Sequence, residues 1–133
     1  MCSSDLVAVP PGSTACIVVE ELQAGGEKVG LCKIKCFRPF PVETLQRTLG
    51  GAGRVAVLDR NCSFGPGGIF AQEIRAALCP LERRPPVYSY IAGLGGRDIT
   101  PDTVREVLRL TRETDTPPAE SRWIGRASCR ERV

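Results

Sequence analysis

The stretch Arg54-Val-Ala-Val-Leu-Asp59 decides the fold predicted for this 133-residue chain. Its four central residues form a continuous apolar run, which is typical of a strand buried on both faces of a parallel sheet. Segments with helical periodicity lie on either side of it, so the strand belongs to an alternating strand-helix pattern. Such alternation predicts the α/β class, with a mainly parallel open sheet and helices on both of its faces.

Three more strands and four helices extend this pattern in both directions. We predict strands at residues 7–9, 29–37 and 87–92, and helices at residues 14–23 and 42–49, with a third ending near residue 78 and a fourth beginning at residue 101. Thr100 is the predicted N-cap of the fourth helix, with Pro101 in its first position. The side chains expected to face the sheet are Ile17, Val18, Leu22, Leu45, Leu49, Phe70, Ile74, Ala77, Leu78, Val104, Val107, Leu108 and Thr111.

The two termini differ from the rest of the chain. Ile124-Gly-Arg-Ala-Ser-Cys-Arg-Glu-Arg-Val133 is basic and aperiodic, and it resembles a translated short-read sequencing adapter, ATC GGA AGA GCG TCG TGT AGG GAA AGA GTG. Codons for residues 2–6 can be written as the reverse complement of part of that adapter. We therefore interpret residues 1–6 and 124–133 as adapter-derived and leave them out of the fold prediction.

The remaining chain is predicted to hold one domain, residues 7–113, followed by a linker or tail at residues 114–123. From Glu113 onward the chain is polar and contains prolines, which predicts disorder. Without its two ends the chain carries five cysteines and a net charge of +2.

Composition argues against several classes of function. Because the chain has no histidine, it lacks the base of a Ser-His or Cys-His pair and the imidazole ligand of a zinc site. The net charge of +3 mixes both signs along the chain, which argues against a nucleic-acid partner. No apolar run of about 18 residues is present, and the start lacks the basic residues of a secretory signal. We expect a cytoplasmic protein with no membrane partner.

The seven cysteines have irregular spacing and form no Cys-x-x-Cys pair, so we expect free thiols in a reducing compartment. Cys32 and Cys36 would share one strand face, buried as small hydrophobic side chains. Four residues of strand separate them by about 13 Å, too far for a shared metal. Cys62 lies in a loop near Arg60, a setting in which thiols become reactive, but no base accompanies it. A catalytic role for this thiol is not favoured.

Candidate contact residues gather where the predicted strands end. In an open α/β sheet the functional loops lie beyond the carboxyl ends of the strands. We expect these residues to contact another domain or subunit, although some have a purely structural alternative. They are Arg38, Asp59, Arg60, Asn61, Gly65, Gly67, Gly68, Arg97 and Asp98.

The Gly65-Pro-Gly-Gly68 loop between a strand and a helix has two interpretations. Its backbone N–H groups and the helix dipole could hold an anion, or its glycines could permit a tight turn and close packing of the helix. It lacks the Gly-x-x-x-x-Gly-Lys-Ser/Thr pattern, so a nucleotide P-loop is not supported.

Two charged positions also have alternatives. Asp59 ends a strand, as the ribose-binding acid of dinucleotide folds does, but Pro10-Pro-Gly-Ser13 does not supply the glycine pattern that such folds require. Arg97 and Asp98 either bind a partner or brace their loop against the N-terminus of the last helix.

Three motifs, in this order and spacing, resemble the C-terminal part (core domain II) of the alpha subunit of pyruvate:ferredoxin oxidoreductase, a 2-oxoacid:ferredoxin oxidoreductase. They are Phe37-Arg-Pro-Phe-Pro41, Leu58-Asp-Arg-Asn-Cys-Ser-Phe-Gly65 and Ile91-Ala-Gly-Leu-Gly-Gly-Arg-Asp-Ile-Thr-Pro101. Gly12-Ser-Thr14, Lys28-Val-Gly30 and Trp123-Ile-Gly125 fit the same pattern, so the resemblance covers nearly all of residues 7–125. Pro10-Pro11 departs from it.

The resemblance implies a small domain, similar to the C-terminal domain of transketolases, that supports subunit assembly. It implies a complete enzyme that oxidatively decarboxylates pyruvate to acetyl-CoA and reduces ferredoxin, using thiamine diphosphate, magnesium and iron-sulfur clusters. The cofactor sites would lie outside this segment, which would hold no cofactor, metal or catalytic residue and be inactive alone. Its partners would be the other subunits or domains, with ferredoxin and CoA reached through the complete enzyme.

One alternative stays open from the sequence. The glycine-rich loops at residues 65–68 and 93–96 could make the chain a stand-alone α/β module that binds a nucleotide or an acyl-CoA. Binding of NADH, FAD or CoA by the purified chain would favour this module over the assembly domain.

Overall fold

The computed structural model describes the backbone of residues 6–9 and all of residues 13–63, 65 and 67–125. The described strands are β1 (Leu6–Val9), β2 (Val29–Leu31), β3 (Arg54–Asp59), β4 (Val87–Ile91) and β5 (Arg122–Trp123). The described helices are α1 (Thr14–Ala24), α2 (Val42–Leu49), α3 (Ile69–Leu78) and α4 (Pro101–Glu113), with a short 3-10 turn at Leu94–Gly96. All strand pairs are parallel, in the order β2-β1-β3-β4-β5, which confirms the predicted fold class.

Strand β3 separates the two layers of the core, because its successive side chains point to opposite faces of the sheet. Val55 and Val57 pack with Leu45 and Leu49 of α2 and with Ile74 of α3. On the other face, β3 and β4 pack against α1 and α4, and the residues of that cluster include Ala56, Leu58, Tyr88, Tyr90, Val18 and Val107. Helices therefore cover both faces of the sheet, as predicted.

Helix α4 follows its sequence prediction closely. The Thr100 hydroxyl accepts a hydrogen bond from the Thr103 backbone N–H, and the Thr103 hydroxyl accepts one from the Thr100 N–H, both at 3.3 Å. This reciprocal capping box begins the helix at Pro101. The four residues predicted to face inward are all buried: Val104, Val107, Leu108 and Thr111.

Two predictions about α1 and β2 are wrong. Ile17 is 55% exposed, because α1 turns the smaller stripe of Ala15, Val18 and Val19 toward the sheet. Strand β2 ends at Leu31 instead of residue 37, since its neighbour β1 pairs only with residues 29–31.

Because β2 ends at Leu31, Cys32 and Cys36 both lie beyond the strand. Cys32 is half-buried against the α2 and α3 layer, and burial raises the pKa of its thiol. Cys36 is exposed, and its Sγ lies 3.4 Å from the Arg38 carbonyl oxygen. The expectation of two buried thiols on one strand face is therefore wrong for Cys36.

The segment at residues 114–123 is not the disordered linker that its polarity predicts. The Tyr88 hydroxyl donates to the Thr114 carbonyl at 2.7 Å, and Arg54 Nη1 donates to the Thr111 and Thr114 carbonyls at 2.6 and 2.9 Å. The segment then forms β5, which pairs with β4. Helices α1 and α4 cover the same face of the sheet, whereas β2 and β5 lie at its two opposite edges. The chain therefore crosses this face toward one edge through α1 and toward the other edge through α4. As a result, the β4-α4-β5 connection has the opposite hand from the other crossovers.

The predicted adapter-derived ends fall mostly outside the described residues, which exclude 1–5 and 126–133. Leu6 begins β1, and the Ile124 backbone N–H donates to the Ile91 carbonyl at 2.9 Å. The origin of the two ends stays a prediction. Within the described ranges, no helix is long and apolar enough to cross a membrane.

Candidate functional site at the carboxyl edge of the sheet

Asp59 is the buried centre of the carboxyl edge. It is the last residue of β3, and it is 1% exposed. Its Oδ1 accepts a hydrogen bond from the Phe70 N–H at 3.0 Å, and its Oδ2 accepts one from the Ala71 N–H at 3.2 Å. Burial raises the pKa of the Asp59 carboxyl, and these two bonds oppose part of that rise. Its carboxylate thus caps α3 from within the core.

Two more side chains accept hydrogen bonds from N–H groups at the N-terminus of α3. Asn61 Oδ1 accepts from the Ile69 N–H at 3.1 Å, and Ser121 Oγ accepts from the Gly68 N–H at 3.2 Å. The first four N–H groups of a helix have no partner inside the helix. In α3 all four, from residue 68 to residue 71, are satisfied by Asp59, Asn61 and Ser121. No N–H group in the first turn of α3 is therefore open to a phosphate, which argues against the interpretation of this loop as an anion site.

The glycines of the loop permit close approach, as the second interpretation predicts. A Cβ on Gly68 would lie 2.0 Å from Asp59 Oδ2, so only glycine fits against that carboxylate. Gly67 has φ +97°, and a Cβ there would lie 2.2 Å from Ser121 Oγ. Both glycines are buried. They let the loop pack between β3 and the segment before β5.

Ser121 is a site residue that the sequence did not reveal. Its Oγ lies 2.5 Å from the Ser89 hydroxyl of β4, in addition to capping α3. One hydroxyl thus joins β4, α3 and the start of β5. A serine in a polar, proline-containing segment carries no local signal for this role, because its partners are 32 and 53 residues away.

A shallow cavity of about 300 Å³ opens beside this contact. Trp123, at its rim, is 40% exposed. The thiol of Cys62 is exposed at this cavity, and its Sγ lies 3.5 Å from the Ser63 carbonyl oxygen. Its described lining residues are Cys62, Ser63, Gly65, Gly67, Ile91, Glu120, Ser121 and Trp123.

The Arg60 side chain and the Arg97 backbone both lie close to Gly93. A Cβ on Gly93, whose φ is +75°, would lie 3.0 Å from Arg60 Nε and 3.3 Å from the Arg97 carbonyl oxygen. Arg97 Nη1 donates to the Gly125 carbonyl oxygen at 2.5 Å. Both arginines are exposed, and neither forms an ion pair with a described residue.

Asp98 does not brace its loop against α4. It is exposed, the N-terminus of α4 is capped by Thr100 and Thr103, and the acid in the first turn is Asp102. Of the two positions, only Arg97 makes a bracing contact, and that contact is with the residues after β5.

Arg38 lies apart from this pair. Its Nη2 is 2.9 Å from Glu73 Oε1 of α3, and its guanidinium lies 4.1 Å from the centre of the Phe37 ring. Phe37 packs edge-on against Phe40 and Phe70.

The candidate contact residues therefore separate into two groups. Asp59, Gly67 and Gly68 are buried, so the contact role predicted for them is wrong within this chain: they build the edge from inside. The exposed candidates are Arg38, Arg60, Gly65, Arg97 and Asp98, with Asn61 half-buried. The described part of the chain has five free cysteines and no group of three Cys, Asp or Glu side chains placed to hold a metal.

These features define a parallel α/β domain in which side chains of the domain itself cap the start of α3 at the carboxyl edge. In fold it is similar to a solved structure of a split-gene transketolase, titled as an inactive beta4 tetramer, with a TM-score of 0.61 and 18% identity. The similarity covers 84% of this chain and 39% of that one. The expected likeness to the transketolase fold is confirmed.

Sequence comparison gives the family. The family model described as pyruvate:ferredoxin oxidoreductase core domain II matches residues 7–104, and the chain belongs to this family. The pyruvate synthase subunit PorA of Methanothermobacter thermautotrophicus is 40% identical over 125 residues, which span 92% of this chain and 31% of that subunit. The ketoisovalerate oxidoreductase subunit VorA of Pyrococcus abyssi is 46% identical over 89 residues, 67% of this chain and 22% of that subunit. The chain thus spans less than a third of these relatives.

Proposed function

We propose that this chain is an assembly domain of the alpha subunit of a 2-oxoacid:ferredoxin oxidoreductase, most similar to the pyruvate enzyme. One observation carries the proposal: the N–H donors at the start of α3 are all paired inside the domain, while Arg60, Arg97 and Asp98 stay exposed at the same carboxyl edge. An edge of this kind suits contact with another polypeptide better than binding of a small substrate.

The complete enzyme would oxidatively decarboxylate pyruvate to acetyl-CoA and reduce ferredoxin in the cytoplasm. Thiamine diphosphate, magnesium and iron-sulfur clusters would be held by other domains or subunits. The described residues do not fit these groups, since the N–H groups that would bind a diphosphate at α3 are occupied and no described cluster offers metal ligands. The domain alone would be inactive.

The choice of 2-oxoacid would also lie outside this domain. The names of the two relatives specify different substrates, pyruvate and ketoisovalerate, and both are at least 40% identical to the chain over the aligned parts. A domain shared at this level by enzymes for different substrates fits a common structural role.

The stand-alone nucleotide or acyl-CoA module loses its support. That hypothesis depended on two glycine-rich loops, and in the first of them the glycines admit Asp59 and Ser121 instead of a ligand. The family match agrees with the assembly domain.

The substitution Arg97→Ala in the complete enzyme tests this proposal. We expect association of the subunits to weaken by about tenfold, the effect of removing one hydrogen-bonded charge from a contact. The turnover number of the complexes that still form should stay close to that of the parent. Sedimentation of the purified subunits and steady-state assays of the isolated complex would measure the two quantities.

Arg47→Ala on α2 is a matched control, because Arg47 is an exposed arginine away from the carboxyl edge. We expect it to change neither quantity. An intact Arg97→Ala complex that has lost decarboxylation would contradict the proposal, since Arg97 would then serve the chemistry and not the assembly.

A further inference from the structure

A second cavity lies at the opposite, amino end of the sheet, next to Val87 at the start of β4. Its volume of about 310 Å³ is close to that of the cavity beside Ser121, so the two cavities differ in their lining and not in their size. Two of the residues around it are arginines and three are prolines. The lining residues are Arg75, Leu78, Arg84, Pro85, Val87, Pro117, Pro118 and Ala119.

Arg75, in the last turn of α3, brings a partly buried positive charge to this cavity. Its Nη2 donates to the Val87 carbonyl oxygen at 3.0 Å, and burial lowers the pKa of its guanidinium. The C-terminus of a helix favours a cation, which offsets part of the cost of burial. No carboxylate in the described part of the chain forms an ion pair with Arg75.

Arg84 brings a second guanidinium to the cavity. Its Nη1 donates to the Cys79 carbonyl oxygen at 3.1 Å and lies 3.3 Å from the Cys79 thiol. Like Arg75, it has no ion pair with any described residue. The arginines of α4 differ in this respect: Arg105, Arg109 and Arg112 each pair with one or more carboxylates.

A partly desolvated charge is stabilised by a partner of opposite sign. We propose that the cavity lined by Arg75 and Arg84 binds a small anion that carries a phosphate or a carboxylate group. Each guanidinium uses one Nη nitrogen within the protein and keeps further N–H groups, and the planar fork matches both kinds of anion.

The rest of the wall suits the organic part of such a ligand. Leu78, Pro85 and Pro118 contribute apolar surface, and a proline ring holds its backbone in a limited conformation. A wall that is already ordered costs little conformational entropy when a ligand binds. The site is independent of the proposed assembly role, because it lies at the other end of α3.

Titration of the full 133-residue chain tests the site, with inorganic phosphate and succinate as separate probes at constant ionic strength. We expect a saturable rise in Tm with at least one probe, beyond the effect of NaCl. Saturation by phosphate alone would assign the site to phosphate compounds, and saturation by succinate alone would assign it to carboxylates. A response to neither probe would overturn the proposal.

Three variants test whether the anion binds at this cavity. Arg84→Gln should weaken the apparent affinity by about tenfold, as the loss of a charged hydrogen bond predicts. Arg75→Lys keeps the positive charge but removes the planar, forked guanidinium, so it should also weaken anion binding. Arg83→Gln is the matched control, since Arg83 is an exposed neighbour that does not line the cavity.

Circular dichroism would confirm that each variant is folded before titration. If Arg83→Gln weakens binding as much as Arg84→Gln, the response comes from general surface charge and the proposal fails. A folded Arg84→Gln protein with unchanged affinity would also overturn it.

Discussion

The two ends of helix α3 deal with electrostatics in opposite ways. At the N-terminal end, Asp59, Asn61 and Ser121 satisfy every N–H group of the first turn from inside the protein. At the C-terminal end, Arg75 faces a cavity with no described carboxylate to balance it. At the N-terminal end the N–H groups are all paired within the protein, so none is available to a ligand. At the C-terminal end the guanidinium of Arg75 keeps N–H groups that can bind one.

Glycine at position 68 is expected to matter most for the closed end. In Gly68→Ala the new methyl group would overlap the Asp59 carboxylate, 2.0 Å away, and push it from the Phe70 and Ala71 N–H groups. We expect a loss of about 3 kcal/mol or more in the free energy of unfolding, from overpacking and broken hydrogen bonds together. Urea denaturation would measure it.

Gly51→Ala serves as the control, because a Cβ there meets no atom within 4 Å. It should change stability by less than about 1 kcal/mol. Equal losses of stability in the two variants would mean that overlap with the Asp59 carboxylate is not what requires glycine at position 68.

Asp59→Asn is expected to have the next largest effect. The amide keeps one acceptor oxygen for the Phe70 N–H, but its nitrogen cannot accept from the Ala71 N–H. Leaving this buried donor unpaired should cost about 2 kcal/mol. Asp98→Asn is a matched control, because Asp98 is exposed.

The same pair of proteins tests the pKa of Asp59. Because burial raises the folded-state pKa of this carboxyl above its unfolded value, near 3.9, its contribution to stability is greatest below the unfolded pKa and is lost as pH rises through the folded pKa. The stability difference between the parent and Asp59→Asn should therefore shrink as pH rises from below the unfolded pKa through the folded pKa. A difference that grows with pH would show that the two hydrogen bonds outweigh burial.

Ser121→Ala should have an intermediate effect. It removes the cap on the Gly68 N–H and the contact with Ser89, and we expect a loss of about 1 to 2 kcal/mol. Hydrogen exchange at the Gly68 amide should also become faster. The comparable change Ser13→Ala removes no capping bond from α1 and should have little effect. If both changes have the same effect, Ser121 does not stabilise this end of α3.

The smallest effect is expected at the open end. Without added anion, Arg84→Gln should shift Tm by less than about 2 °C, since Arg84 is exposed and no ion pair within the described residues is lost. A clear drop in Tm would show that Arg84 stabilises the fold itself, and the contrast between the two ends of α3 would disappear.

Much of this fold could be predicted because its signals are local. The apolar run of β3 and the cap and buried stripe of α4 involve neighbours within a few residues, and both predictions are confirmed. The face of α1 could not be chosen in the same way. Ala15 and Val19 are buried and Ile17 is exposed because of the side of α1 that packs against the sheet and α4, not because of their hydrophobicity.

The sequence predicted the position of the candidate site but not the role of its buried residues. The sequence located Asp59, Gly67 and Gly68 at the carboxyl edge, but burial turned them from contact residues into supports for α3. Arg60 and Arg97 stay exposed, as an assembly role requires. Ser121 was missed because its bonding partners lie far away along the chain.

By itself, the sequence determined the α/β class, the order of the first eight elements and the family resemblance, because periodicity, caps and motifs are properties of adjacent residues. Only the tertiary structure decided where β2 ends, that residues 114–123 return to form β5, and that the first turn of α3 is capped by three side chains from two segments. Those outcomes depend on pairing and hydrogen bonding between residues distant in the chain, which become neighbours only when the sheet and its helices are assembled.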